Sequence, residues 1–343
     1  MLRPISLRLL STCLLGVCLL CIQVCAQDPP RVGVIDFYGV HKTPEAKVRK
    51  ELGIKEGDML PRSKGGTEER IEAIPGITEA RLEAVCCDAN HKAILYVGIE
   101  EKGAPHFNYR PPPSGEAQLP ANIAPIYARF LGAVAAAGQK GPVSEDLTRG
   151  HSFMSDPKVR ALQEAFVDLA TTYPTELRNV LREGANEEQR AMAAYILGYA
   201  PNKMRVVNDL QYALQDPDDT VRNNAMRSLA AFAVLKQKDP TVELKIEPIW
   251  LVALLNSLIW GDRHTAAVTL VTITEQRDPE TLSLIKERAM PALAEMASWK
   301  TLAHALPAYI LMGRAGGLKE SELQDAWSKG QRMAIIKKVM AEQ

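Results

Sequence analysis

Apolar residues alternate with polar ones along Arg31 to Val40, and the run ends on Gly39, a pattern that predicts a strand. Thr43-Pro44-Glu45 then supplies a cap, a proline at the first helical position and an acid in the first turn. Val48 and Leu52 lie four apart on one helical face, and Gly53 stops the helix. A second short helix is predicted from Thr67 to Ile74, closed by Pro75-Gly76. Two strands follow: Ala80, Leu82, Ala84 and Cys86 share one face of the first, and Leu95, Val97 and Ile99 one face of the second. Asp88-Ala89-Asn90 makes the turn between them.

Periodicity fails from Gly103 to about Ala121, where prolines gather around Pro111-Pro112-Pro113, so a stiff, extended connector is expected. Ile123 to Ala137 reads as helix again, followed by a Gly-, Pro- and Ser-containing loop to Ser155. Beyond Pro157 the helical period holds to the end of the chain, and it repeats. Arg190, Arg222 and Arg263 are each followed by an alanine three residues on (Ala193, Ala225, Ala266) and a leucine four further (Leu197, Leu229, Leu270). His304, Pro307 and Leu311 stand at the matching places of a degenerate fourth copy. This spacing puts alanine and leucine on one helix stripe, the alanine admitting a neighbouring helix and the leucine filling the seam. Helix pairs recurring every 30 to 45 residues or so mark a solenoid.

The fold class expected is thus a small α/β domain of order β-α-α-β-β over residues 31–102, a Pro-rich linker with one helix over 103–155, and an all-α solenoid over 159–343. Ahead of them, residues 1–26 read as a secretory signal. Arg3 and Arg8 form its positive start, Leu9 to Leu20 its apolar stretch, and Ala26 precedes Gln27 at the expected cleavage point. Leu9 to Val24 is shorter than the roughly 20 residues that cross a bilayer, so a membrane contact is expected only through an uncleaved signal. Without the two signal arginines the formal charge moves from zero to −2, with 39 basic against 41 acidic residues. A near-neutral chain without a basic run lacks the footprint of a nucleic-acid binder.

The small domain resembles the polypeptide-transport-associated (POTRA) domain. The strand ending near Gly39, the stretch Leu52-Gly53-Ile54-Lys55-Glu56-Gly57-Asp58, the helix running into Ile74-Pro75-Gly76-Ile77 and the hairpin ending in Glu100-Glu101 carry the likeness. The tandem copies and the membrane barrel common in that family are missing from this sequence. The stretch Asp216-Pro217-Asp218-Asp219-Thr220-Val221-Arg222-Asn223-Asn224-Ala225 resembles the bacterial HEAT repeat. That resemblance implies a structural pairing of Arg222 with Asp216 or Asp219.

Chemistry is sparse. The six histidines show no local zinc spacing, and the two Ser-x-x-Lys matches (Ser155 to Lys158, Ser283 to Lys286) lack their partner motifs. Glu145, Asp146 and His151 form the one cluster of acids near a histidine, in a loop. Cys86 and Cys87, adjacent on a strand and so facing opposite ways, are expected to remain free thiols, with Cys87 the reactive one. No catalytic residue, metal or cofactor is expected. The reading is an exported, periplasmic or secreted, protein-interaction scaffold of the bacterial envelope whose partners are proteins or peptides. The alternative is a HEAT-type lyase or enzyme accessory protein handling a small ligand. Partner contact is expected at the sheet edge, through Arg81, Glu83, Val85 and Cys87, because an edge strand leaves main-chain groups open to strand addition.

Overall fold

The computed structural model describes residues 30–342 apart from Pro142; the predicted signal and its cleavage point lie outside the described residues. The chain opens with β1 (Val32–Tyr38), α1 (Glu45–Leu52), α2 (Gly65–Glu72), β2 (Ile77–Val85) and β3 (Ala93–Glu101). The sheet order is β1-β3-β2, with β1 parallel and β2 antiparallel to β3. Alternation sends Ile35, Leu82, Leu95, Val97 and Ile99 to one face, where they pack with Val48 and Leu52 of α1 and Ile71 of α2. The C-terminus of α1 closes on Gly53, whose φ of 66° is the left-handed turn that glycine adopts without a Cβ penalty.

Helix α3 (Ile123–Gly138) and a two-residue hairpin, β4 (Glu145–Asp146) with β5 (Phe153–Met154), precede the array. The array comprises α4 (Pro157–Thr172), α5 (Pro174–Glu183), α6 (Glu187–Leu197), α7 (Val207–Ala213), α8 (Asp219–Lys238), α9 (Ile249–Leu254), α10 (Trp260–Ile273) and α11 (Pro279–Arg288). It ends with α12 (Met290–Ala297), α13 (Leu302–Ala315), α14 (Glu320–Ser328) and α15 (Arg332–Ala341). Helices α6, α8, α10, α13 and α15 stack each on the next in one row, while α5 packs on α7 and α9 on α11 in the other. Ala193, Leu197, Ala225, Leu229, Ala266 and Leu270 are all fully buried in the shared core. Helix α9 ends at Leu254, and Ser257 to Ile259 form the turn into α10.

The repeat arginines carry a ladder between neighbours, and its register differs from the implied one. Arg190 binds Asp216 through two bonds of 2.9 Å, and Arg222 binds Asp262 of the next repeat at 2.8 and 2.9 Å. Asp216 offers Arg222 only its main-chain oxygen, at 2.7 Å, and Asp219 forms no ion pair among the described residues. The reason lies in the side chain's reach. Each arginine folds back with one nitrogen onto carbonyls five and six residues earlier (Gly184 and Ala185; Asp216 and Pro217), which aims the rest of the fork forward. Arg263 repeats the backward bond to Ser257 and reaches Glu295 at 3.4 Å.

The proline-rich connector is extended, and it is bound along the array. Phe107 is buried, Tyr109 Oη lies 3.0 Å from Ser257 Oγ, and the Arg110 N–H donates to the Gln215 carbonyl at 2.8 Å. Further on, Gly115 exchanges main-chain bonds with Glu183 and Ala185, and the Leu119 N–H donates to Gln189. The strap therefore crosses the turns of three successive repeats in reverse chain order. Its Tyr109 ring covers the Arg222 guanidinium at 4.2 Å.

Removing one partner of a buried ion pair strands the other. Arg222→Ala is expected to lower stability by about 3–5 kcal/mol in urea denaturation. Asp168→Ala, on an exposed helix position, should stay within about 0.5 kcal/mol of the parent.

Candidate functional site

The second face of the sheet docks on the array and builds a cleft. Val34, Asp36 and Tyr38 of β1 and Ile94 and Tyr96 of β3 point away from α1 and α2. Tyr38 Oη donates to the Leu258 carbonyl at 2.7 Å, and its ring lies 4.5 Å from the Arg263 guanidinium. Asp36 accepts the Lys300 N–H at 3.0 Å. Tyr96 stacks on Trp260 at 4.9 Å, contacts Trp299, and bonds His304 Nδ1 through its hydroxyl at 2.7 Å. Gly98 makes the approach possible, since a Cβ there would sit 2.7 Å from the Leu258 oxygen and 2.6 Å from Tyr38 Oη.

The four expected contact residues fare differently. The Glu83 side chain is turned onto the array rather than outward: its carboxylate accepts the Trp260 and Gly261 N–H groups at the start of α10. There it meets the unpaired donors and the positive end of the helix dipole. Burial nonetheless raises the Glu83 pKa, against those two bonds. Val85 packs against the array core, whereas Arg81 is exposed and pairs with Glu79 at 3.1 Å. Cys87 is exposed, and a disulfide joins it to Cys86 instead of leaving both thiols free. Strand β2 ends at Val85, so the alternation that would separate the two side chains does not extend to them.

Strand β2 is an edge, yet two of its outward donors are occupied. The outward N–H groups belong to Ala80 and Leu82, not to Arg81 or Glu83, and they donate to Glu72 at 3.0 Å and Glu68 at 2.8 Å. Two α2 carboxylates thereby cover the middle of the edge. Beyond it lies a cleft of about 1090 Å³ between the sheet and the array. Arg81, Glu83 and Val85 line its sheet side, Asp218 and Asp219 its array side, and Phe107 and Tyr109 its floor; Cys87 lies outside it. Sequence reasoning missed the cleft because the residues that seat the sheet, Tyr38 and Tyr96 on one side and Trp260 and Trp299 on the other, lie far apart along the chain and share no local pattern.

Residues 174–244 match the family described as HEAT repeats. The matched segment spans α5 to α8 and includes the Arg190–Asp216 pair. No curated protein matches the chain. The C-terminal region is a helical repeat array, and HEAT repeats in general serve as scaffolds for protein interaction.

The docked face also sets a pH response. His264 stacks on Trp260 and lies 5.1 Å from the His304 ring. Burial, with the His304 ring adding to it, lowers the His264 pKa to about 4, and burial lowers that of His304 as well. A histidine whose folded pKa lies below its unfolded value of about 6.5 is neutral in the native state and favours unfolding as it gains a proton. The stability contributed at neutral pH is lost as pH falls from about 6.5 toward 4. The urea midpoint should therefore drop between pH 7.5 and 5, and drop less in His264→Phe, which keeps the stacking. Asp36 and Glu83 titrate equally in both proteins, so an identical drop would remove His264 from the account.

Proposed function

We propose that the chain is a polypeptide-binding scaffold exported to the bacterial envelope, with the cleft between sheet and array as the seat of its partner. The observation that supports this is the cleft itself. It runs beside β2 for several residues, carries both signs of charge on its rim and has aromatic side chains in its floor. An extended peptide needs such a surface: apolar pockets for some side chains and polar groups for the rest. The likeness of residues 31–102 to POTRA domains fits the same reading. Because Glu68 and Glu72 hold the edge donors of Ala80 and Leu82, which interrupts a continuous ladder, we place the contact on side chains of the cleft, Arg81 foremost, rather than on strand addition.

A bulky residue in the cleft should block the partner without disturbing the core. Ala84 is exposed and lines the cleft. Ala84→Trp is expected to abolish capture of envelope polypeptides by the purified protein while circular dichroism stays unchanged, and Arg81→Glu to weaken it. Capture undiminished by both variants would exclude the cleft. Mass analysis of the same envelope preparation should find the mature chain beginning near Gln27; a chain still carrying Arg3 would contradict export by cleavage.

A further inference from the structure

A second cavity, separated from the cleft by the stacked Trp260 and His264 rings, lies where the β4–β5 hairpin closes over α6, α8 and α10. It holds about 270 Å³, at the small end for a ligand site. Ala230, Ala231 and Val268 supply an apolar wall; Glu145, His151, Ser152, Tyr199 and Arg227 supply the polar one.

The polar wall is fixed from behind. Gln163, fully buried, donates to Ser152 Oγ at 3.1 Å and Tyr199 Oη at 3.0 Å, and accepts the Met154 N–H at 2.7 Å. The Ser152 hydroxyl donates to Glu145, which also accepts from Arg227 at 2.8 Å. Buried Lys203 donates to the Gly198 carbonyl at 2.7 Å and lies 3.3 Å from His151 Nδ1.

The charge on these groups does not balance. Among the described residues Glu145 is the one carboxylate on the lining, and Arg227 already neutralises it through one of five N–H donors; off the lining, Asp146 and Arg149 act on His151 with opposite signs. Lys203 forms no ion pair among the described residues, and a buried cation without an acid is costly. Desolvation lowers the Lys203 pKa to about 7, and burial next to it lowers that of His151 to about 4. With Nδ1 facing the ammonium, the neutral His151 ring carries its proton on Nε2 and is a donor there. His264, also on the lining, has a buried Nδ1 without a partner.

We propose that this cavity binds a carboxylate borne on a small apolar body, with the Arg227 guanidinium as its fork and His151, positioned by Lys203, as a second donor. The apolar body lies on Ala230, Ala231 and Val268. A free aliphatic acid and the C-terminal residue of a polypeptide share this chemistry.

Calorimetry on the full mature chain tests it with isovalerate, N-acetyl-leucine and N-acetyl-leucinamide. Both acids should bind, and the amide should bind at least about tenfold more weakly than N-acetyl-leucine, the loss expected for a charged hydrogen bond. Arg227→Gln, at a half-exposed position, should weaken both acids by a similar factor. Lys203→Met should weaken them and remove the fall in affinity as pH rises through about 7, which a merely structural lysine would not do. Tighter binding of N-acetyl-leucine assigns the site to a polypeptide terminus, and tighter binding of isovalerate to a free acid. The proposal is overturned if acid and amide bind alike, if no acid binds at about 10 mM, or if Arg227→Gln, still folded by circular dichroism, binds as the parent does.

Discussion

Burial of β3 on both faces is the constraint from which the rest of the structure follows. One face covers Val48, Leu52 and Ile71 of the small domain, and the other lays Tyr96 on Trp260 and Trp299 of the array. Burying an aromatic residue of this size contributes on the order of 2–3 kcal/mol. The hydroxyl of Tyr96 keeps its partner in His304, whereas the indole N–H groups of Trp260 and Trp299 are buried without one, a cost that the aromatic burial offsets. Once the sheet is seated there, Glu83 falls on the start of α10, Tyr38 on Arg263, and the space left beside β2 becomes the cleft.

The arginine ladder and the connector extend that seat along the array. Each arginine fastens its own turn and the next repeat, and the forks of Arg190 and Arg222 are each held by two carbonyls and a carboxylate, the condition under which a buried charge is tolerated. Tyr109 and Tyr38 then lid two successive arginines, one from the strap and one from the sheet. The array's rungs thus double as the docking points for the N-terminal part of the chain. A solenoid ordinarily couples only neighbouring repeats; here a strap across three turns couples them at once.

What the sequence made legible was whatever repeats or alternates. The order of β1 to β3, the Ala and Leu stripe of α6, α8 and α10, and the two short helices all have local periods of 2 or 3.6 residues. The docking did not show, because its signal is a contact between positions some 165 to 265 residues apart, such as Tyr96 with Trp260 and Asp36 with Lys300. One trace was present: Ala93 to Val97 is an unbroken apolar run, as a strand buried on both faces requires, although alternation alone picked out only Leu95 and Val97. The pairing of Arg222 was misjudged by one repeat because the HEAT likeness was carried onto the acids of its own turn, whereas the guanidinium spends its near side on carbonyls there and reaches Asp262. Glu83, an exposed charge by strand alternation, became a helix cap for the same reason of unseen tertiary contact.

Whether sheet and array stand as one cooperative unit is the central claim, and amide hydrogen exchange under mild urea tests it most directly. The comparison is between the parent chain and Trp260→Ala, a change made in the array alone. The account predicts that the amides of Leu95 and Val97 in β3 lose protection together with those of α10. Full protection of β3 beside a weakened α10 would contradict it.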